Sequence, residues 1–340
     1  MKPFLRAKSP LRLSFAGGGS DIEAVYKEIG GAVLVATINK YSYVSIRPRD
    51  DDQVHIRSLD FNVEVEYSAT GETPYDGVLD LAKACVEEMS VRQGLDISLQ
   101  TEAPPGSGLG SSSSMITALL AGLHALTTGR HMDPYELAEK AYDVERVKMK
   151  ISGGRQDQYA CCFGGFNLVE FHPDNIEVTP LRLRPEILND LESHCMLCFT
   201  GRTRLSANLI DKQVAAFRDP GGSSRAGTER LKELAYEAKN LLLRGKITEF
   251  GHLLHEAHQA KKKMNPLVTD EFIDSLYDEA RRLGAFGGKI LGAGGGGYLM
   301  FFAPIDLKQL VREKLEQMGG RFATFGFCPD GVQTWTSACP

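Results

Sequence analysis

Residues 31–48, GAVLVATINKYSYVSIRP, are rich in β-branched and aromatic side chains and stop at Pro48, and 53–67, QVHIRSLDFNVEVEY, follows with the same strand-like alternation. The pattern predicts early strands, paired antiparallel. From Val78 to Met89 the apolar spacing turns helical, Gly94 breaks it, and LDISLQT at 95–101 reads as a strand. The next helical stripe runs from Met115 to Leu126. EAPPGSGLGSSSS, 102–114, therefore joins a strand to a helix.

Asp133, Pro134 and Glu136 supply the N-cap, first-turn proline and third-position acid of a second helix running toward Lys148. GGFNLVEF and MLCFTG read as strands, and the Gly/Ser-rich run within 217–226 as a mobile surface loop. Beyond it Leu231, Leu234, Ala235, Ala238, Leu241 and Leu242 keep one helical face until Gly245, and helices are predicted at 247–263 and 270–283. KILGAGGGGYLMFF reads as strand, glycine turn, strand, followed by a helix at 306–318 and a strand at 321–327. The order is α+β, with a domain boundary expected near 180, giving 1–180 and 181–340.

A chain of 340 residues favours two packed lobes over one core. Its hydrophobic share of 42% and charged share of 24% are those of a fully folded chain. A formal charge of −5 argues against a nucleic-acid partner, which would need clustered Lys and Arg, so any anionic ligand must be met locally. The N-terminus lacks the apolar core of a signal peptide and no run approaches a membrane span, so a cytoplasmic protein without membrane contact is expected. Seven sparse cysteines (Cys85, Cys161, Cys162, Cys195, Cys198, Cys328, Cys339) suit reduced thiols.

Three motif lookalikes fail on inspection. GAFGGKI resembles the end of a Walker A loop, but position 283 is Leu and Ile290 stands where Ser or Thr is required. HEAHQ, from His255, has its second histidine one residue too early for a zinc-protease pair, and His252, His255 and His258 read as a polar helix face. Cys195 and Cys198 sit three apart in a predicted strand, which sends them to opposite faces as packing residues.

The loop at 102–114 is different. Pro104 and Pro105 fix its approach, Gly106, Gly108 and Gly110 leave backbone N–H groups bare, and the following helix adds its positive N-terminal end, a combination suited to phosphate. Ser111 to Ser114 add hydroxyls able to reach a phosphate oxygen or a metal ion. By itself the run is also compatible with a structural turn.

PPGSGLGSSSS resembles the second motif of the GHMP kinase superfamily, named for galactokinase, homoserine kinase, mevalonate kinase and phosphomevalonate kinase. SPLRLSFAGGGSD, 9–21, is similar to its N-terminal signature and KILGAGGGGYLMFF, 289–302, to its C-terminal one. The resemblance implies a ribosomal-S5-like N-terminal lobe, a ferredoxin-like C-terminal lobe, and an ATP- and Mg²⁺-dependent phosphotransferase working as a monomer or homodimer. It places the nucleotide on Pro105, Gly106, Ser107, Gly108, Leu109, Gly110, Ser111, Ser112 and Ser113. Asp157, in VERVKMKISGGRQDQY, matches the family's base, Glu145 and Ser112 its magnesium ligands, and Arg12 the basic residue near the acceptor hydroxyl. Singly, Glu145 also reads as a solvated helix acid and Asp157 or Asp21 as a cap.

The first motif lacks the Glu-His pair usual in mevalonate- and galactokinase-type members. RLSFAGGGSD, GGRQDQYACCFGGFN, FTGRTRLS and ILGAGGGGYL together resemble the branch that phosphorylates a heptose 7-phosphate at its anomeric C1 hydroxyl. L-fucokinase-type members share the GG-x-DQ segment but usually carry tryptophan at the third glycine of AGGGSD. This resemblance places the acceptor on Ser14, Gly18, Gly19, Asp21, Gly154, Arg155, Arg204, Gly294 and Gly295, with carboxylates suited to sugar diols. A second phosphate needs its own cation, and Lys148, Lys150, Arg155, Arg202 and Arg204 are all candidates by charge. A sugar- or nucleotide-binding regulator and an isoprenoid-type kinase stay open as rivals.

Overall fold

Two long strands, β1 (Phe4–Ala16) and β2 (Gly31–Pro48), are joined through the short helix α1 (Glu23–Ile29) and pair antiparallel from Leu5↔Ile46 to Ala16↔Leu34. The computed structural model describes residues 4–203, 207–219 and 222–338. β3 (Gln53–Ser58) and β4 (Val63–Ser68) form an antiparallel pair, α2 (Asp80–Glu88) follows, and β5 (Leu95–Thr101) lies parallel to β3 and antiparallel to the second half of β2. Next come α3 (Ser111–Thr128), α4 (Pro134–Tyr142) with a π-helical continuation Asp143–Lys148, α5 (Gln156–Phe163), β6 (Phe166–Phe171) and β7 (Ile176–Pro180). β6 pairs with the first half of β2 and β7 with β6.

Then follow α6 (Pro185–His194), β8 (Cys195–Phe199), α7 (Ala207–Phe217), α8 (Ser223–Leu243), α9 (Ile247–Met264), α10 (Glu271–Arg282), β9 (Gly287–Ile290), β10 (Tyr298–Phe302), α11 (Lys308–Gln317), β11 (Arg321–Ala323) and β12 (Gln333–Ser337). β11, β8, β10 and β9 form an antiparallel four-stranded sheet in that order, while β12 returns to the first sheet and pairs with β1.

Period-two alternation explains the layers. Val33, Val35, Val44 and Ile46 of β2 face a core shared with α2 to α5, whereas Ala32, Leu34 and Ala36 face a second core with α8, α9, β8 and β10. In the second sheet Leu197, Met300 and Phe302 join that same core, while Met196, Leu299 and Phe301 face a third against α10 and α11. Helices and sheets thus stack alternately, and α8–α9 is the layer both sheets share. Cys195 and Cys198 fall in different cores, as their odd spacing predicts, and both are buried.

Asp133 caps α4 through bonds to the amides of Tyr135 and Glu136, with Pro134 in the first turn. The surface loop expected over 217–226 is corrected: α7 ends at Phe217 and α8 begins at Ser223. Ser224 is buried and its backbone carbonyl accepts from the Thr228 hydroxyl, and a Cβ on Gly227 would lie 2.7 Å from the Met264 amide nitrogen of α9, so the glycine serves helix packing. The polar face expected of α9 is corrected too, since His258 is buried and stacked on Tyr277, ring centroids 4.1 Å apart. Burial pushes His258 down to about 3, with Lys262, Lys261 and Lys289 adding to the effect. β7, α6 and β12 have no counterpart in the sequence reading, and β11 is shorter than the strand expected there.

Candidate active site

The glycines of 106–110 alternate into left-handed backbone, with φ of 75° at Gly106, 82° at Gly108 and 77° at Gly110, a conformation glycine adopts without strain. Such alternation turns successive N–H groups toward one concave side. α3 starts at Ser111 with Gly110 as N-cap and no side-chain cap, so its first-turn amides stay available to an anion. The loop lies on the wall of a cavity of about 970 Å³.

The four serines at the mouth of α3 point four ways, because successive helical residues turn by about 100°. Ser111 donates to Pro104 O at 3.3 Å, closing the loop. Ser112 faces the cavity. Ser113 donates to Glu145 at 2.7 Å, and Ser114 to Ser9 O on β1 at 2.8 Å.

β1 delivers the next groups. Its alternation buries Leu11, Leu13 and Phe15 in the second core and turns Arg12 and Ser14 toward the cavity. A register irregularity between Ser14 and Ala16 re-aims the strand beside Ser14. Arg12 grips Asp157 with two bonds, Nε–Oδ1 at 2.7 Å and Nη2–Oδ2 at 2.8 Å, and its Nη1 donates to Gly108 O. A Cβ on Gly110 would press on both side chains, 3.3 Å from Arg12 Cγ and 3.4 Å from Asp157 Oδ2. The ion pair is thus seated at the head of α3.

Asp21 is buried and lines the same cavity. Its carboxylate accepts from the amides of Gly19 at 2.8 Å and Gln156 at 3.1 Å. Burial pushes its carboxyl up, those two amide bonds oppose the rise, and the neighbouring charge of Asp157 adds to it. Gly154 must be glycine there, since any Cβ would overlap the Asp21 carboxylate.

The π-helical turn after α4 presents Glu145, a geometry frequent at functional sites. Glu145 is 2% exposed and its Oε2 accepts from Ser113 Oγ and Gln158 Nε2, both at 2.7 Å. Its other oxygen faces Arg146 Nη1 at 3.4 Å.

The second half of the chain closes the opposite wall. Tyr298 N donates to Ser107 O at 2.9 Å, and a Cβ on Gly292 would lie 2.5 Å from Gly108 Cα, so the two glycine runs touch backbone to backbone. Gly294 reaches the cavity wall.

Several expected contacts are corrected. Arg155 turns away, donating to Glu139 and stacking 3.6 Å above the Tyr142 ring. The Ser107 and Leu109 side chains are buried off the cavity, Ser107 beside Ser111 and Leu109 in the second core, which leaves only their backbone to meet a nucleotide. The Gly295 amide is bound to Val268 O at 2.7 Å, away from the cavity lining. Arg204 lies outside the described residues. Pro105, Gly106, Gly108, Gly110, Ser111, Ser112, Ser113, Ser14, Gly18, Gly19, Asp21, Glu145, Gly154, Asp157 and Arg12 all line the cavity.

Two lysines stand at the site outside every motif role assigned above. Lys289, the lysine of the Walker lookalike, is buried and donates to Ser14 O at 2.9 Å. Lys261, from α9, lines the cavity and donates to Ile290 O at 3.3 Å and to Gly292 O, clamping the glycine turn. Burial, then the charge of Arg12, pulls Lys261 down to about 7, with Asp21 and Asp157 opposing. A basic residue on an otherwise apolar helical face was the available signal. Gln158, which holds Glu145, carried none.

Residues 77–165 match the family model of the GHMP kinases N terminal domain, and residues 238–320 that of the GHMP kinases C terminal domain. A D-glycero-alpha-D-manno-heptose 7-phosphate kinase of Campylobacter jejuni is 32% identical over 97% of this chain and 98% of its own. The structure of a D-glycero-D-manno-heptose 1-phosphate kinase from Bacteroides thetaiotaomicron superposes with a TM-score of 0.82 at 31% identity, covering 97% of this chain and 98% of that one. Galactokinase from Lactococcus lactis shares the fold, with a TM-score of 0.79 at 20% identity over 97% of this chain and 95% of its own. A phosphate loop at a helix head, an arginine–aspartate pair beside it and two matched family domains lead to one conclusion: the chain belongs to the GHMP kinase family and is an ATP-dependent kinase.

Proposed function

We propose that the protein transfers the γ-phosphoryl group of ATP to the anomeric C1 hydroxyl of D-glycero-D-manno-heptose 7-phosphate, giving the 1,7-bisphosphate and ADP. The observation that carries this reading is the Arg12–Asp157 pair, set between the phosphate loop and the buried Asp21 in one cavity. The names of the two heptose phosphate kinases, each about a third identical over nearly the whole chain, support the sugar.

The division of labour follows from position. The loop amides between 106 and 112, apart from that of Ser107, which donates to Pro104 O, hold the triphosphate with the head of α3, and the apolar arm of the cavity, with Val78, Leu79, Met115 and Leu119, suits the nucleobase. Ser112 and the Oε1 edge of Glu145, which faces Arg146 at 3.4 Å, offer oxygen only, and two protein oxygens suit Mg²⁺, which keeps waters and leans on phosphates. Held by these two residues, Mg²⁺ would supply neutralisation of phosphate charge. Asp21 accepts hydrogen bonds from the sugar's hydroxyls. Asp157, fixed in orientation by Arg12, takes the C1 hydroxyl proton as the O–P bond forms and the γ-phosphate leaves ADP. Arg12, Lys261 and the loop amides meet the charge spread over the transferring group.

The test is ADP release over a panel of sugars, sugar phosphates and mevalonate, with the phosphorylated position of the product mapped by NMR. Phosphate on C1 of the heptose 7-phosphate is the expected product. Turnover on mevalonate, or binding without ADP release, would overturn the reading.

A further inference from the structure

We infer that Arg146 reads the phosphate already carried by the acceptor, and that the cleft beside it receives that phosphate. This rests on the proposed function and goes further by assigning the second anion site. A cleft of about 530 Å³ adjoins the main cavity, and the two share Ile22, Arg146, Ile151, Gly153 and Ile210 as lining. The ligand space therefore continues past the sugar site, and Arg146 stands at the junction.

Gly153 and Gly154 set the spacing. A Cβ on Gly154 would overlap the Asp21 carboxylate, and one on Gly153 would overlap the Arg146 guanidinium. The two side chains thus rest on consecutive glycines, whose Cα atoms are about 3.8 Å apart. Asp157, which meets the reacting hydroxyl, lies three residues further on. Along 153–157 the chain meets cation, hydroxyl acceptor and base in that order, the order of a sugar with phosphate at one end and the reacting carbon at the other.

Among the described residues, most other candidate cations are committed. Arg12 holds Asp157, Lys148 holds Glu87 at 2.5 Å, Arg155 holds Glu139, and Lys261 holds carbonyls of the glycine turn. Arg202 is 66% exposed and sits by Asp270 and over Phe272. Arg146 is only loosely engaged: Nη1 meets Ile151 O at 3.2 Å and Glu145 at 3.4 Å, and Nε is buried with no hydrogen-bond partner among the described residues. Gly153 lies close against the guanidinium, a Cβ there falling 2.2 Å from Cζ and 2.5 Å from both Nε and Nη2, so the glycine is what admits Arg146 to the junction. The acids of the cleft have partners of their own, Glu23 with Lys27 and Tyr142, and Asp211 with Ser152. Lys150 lines the cleft as a second positive charge. A guanidinium edge beside an ammonium group suits a phosphate monoester dianion.

The experiment compares D-glycero-D-manno-heptose 7-phosphate with the unphosphorylated heptose in wild type, Arg146→Gln and Arg146→Lys, reading the ratio of the two kcat/KM values. In Arg146→Gln the ratio should fall roughly 10- to 100-fold, through KM for the sugar phosphate, the scale of a lost charge-assisted contact. Arg146→Lys, which keeps charge but not the fork, should fall less, and it carries the test if the glutamine variant does not fold. A ratio unchanged in either variant, or an equal loss on both sugars, overturns the assignment and makes Arg146 a support for Glu145. A wild type that does not prefer the phosphorylated heptose would instead sink the proposed function, so the two failures are told apart.

Discussion

Asp157 and Arg12 show how far one residue's role depends on another's. A carboxylate held by two guanidinium bonds is fixed in orientation, which is what the proposed role of Asp157 as proton acceptor needs. Asp157→Asn is expected to lower kcat by roughly 10²- to 10⁴-fold with little change in KM for ATP, measured by coupled ADP release. Wild-type turnover in that variant would remove Asp157 from the proton path. Lys261 makes a separate prediction. Its folded value, about 7, lies below that of an unfolded lysine, so between pH 7 and 10 the unfolded chain binds more protons and this group's contribution to stability rises with pH. Relative to Lys261→Met, the wild type should gain stability from pH 7 to 9, by no more than about 1.4 kcal/mol per pH unit. Parallel denaturation curves across that range would contradict it. Asp157, Glu145, Arg12 and Asp21 were legible because each sits at a fixed offset inside a motif. Arg146 was not, because a lone cation on a helical turn reads the same whether it faces water or a cavity, and Lys261 was signalled only by its place on the apolar face of α9. Arg155 misled in the opposite sense: it stands next to the motif, yet its backbone faces Asp21 and its side chain faces Glu139.

At the scale of elements, the site is an encounter of two glycine runs. Gly108 and Gly292 are packed so closely that neither admits a side chain, and both have positive φ. Gly292→Ala is expected to cost on the order of 1–3 kcal/mol of stability and to weaken ATP binding, checked by chemical denaturation and nucleotide titration. A variant of unchanged affinity and stability would mean the runs can separate freely. Most elements were readable from period alone: β2, β5, α3, α8 to α10 and β10 all carry clean patterns. The exceptions have physical reasons. β12, QTWTS, is short, mostly polar and half-exposed at a sheet edge, so its pairing with β1 writes no alternation into the chain. The start of α8 is rich in Gly and Ser because Gly227 must lie against α9, and small residues there imitate a loop.

At the scale of the molecule, the second core ties everything together, since β1, β2 and β6 of one sheet and β8 and β10 of the other all bury side chains against α8 and α9. A shared core predicts one cooperative unfolding transition. Trp335, the sole tryptophan, lies in β12 against Arg6 of β1 and reports on the edge of the first sheet. Its fluorescence and far-UV circular dichroism should give coincident denaturation curves, and separated midpoints would show the sheets melting apart. The bond from the Tyr298 amide to the Ser107 carbonyl spans most of that architecture. A nascent chain still on the ribosome, with only its first two hundred residues emerged, would hold the whole PPGSGLGSSSS segment yet lack the strand that braces it. Nucleotide affinity should therefore arrive late in synthesis, as a property of the finished chain.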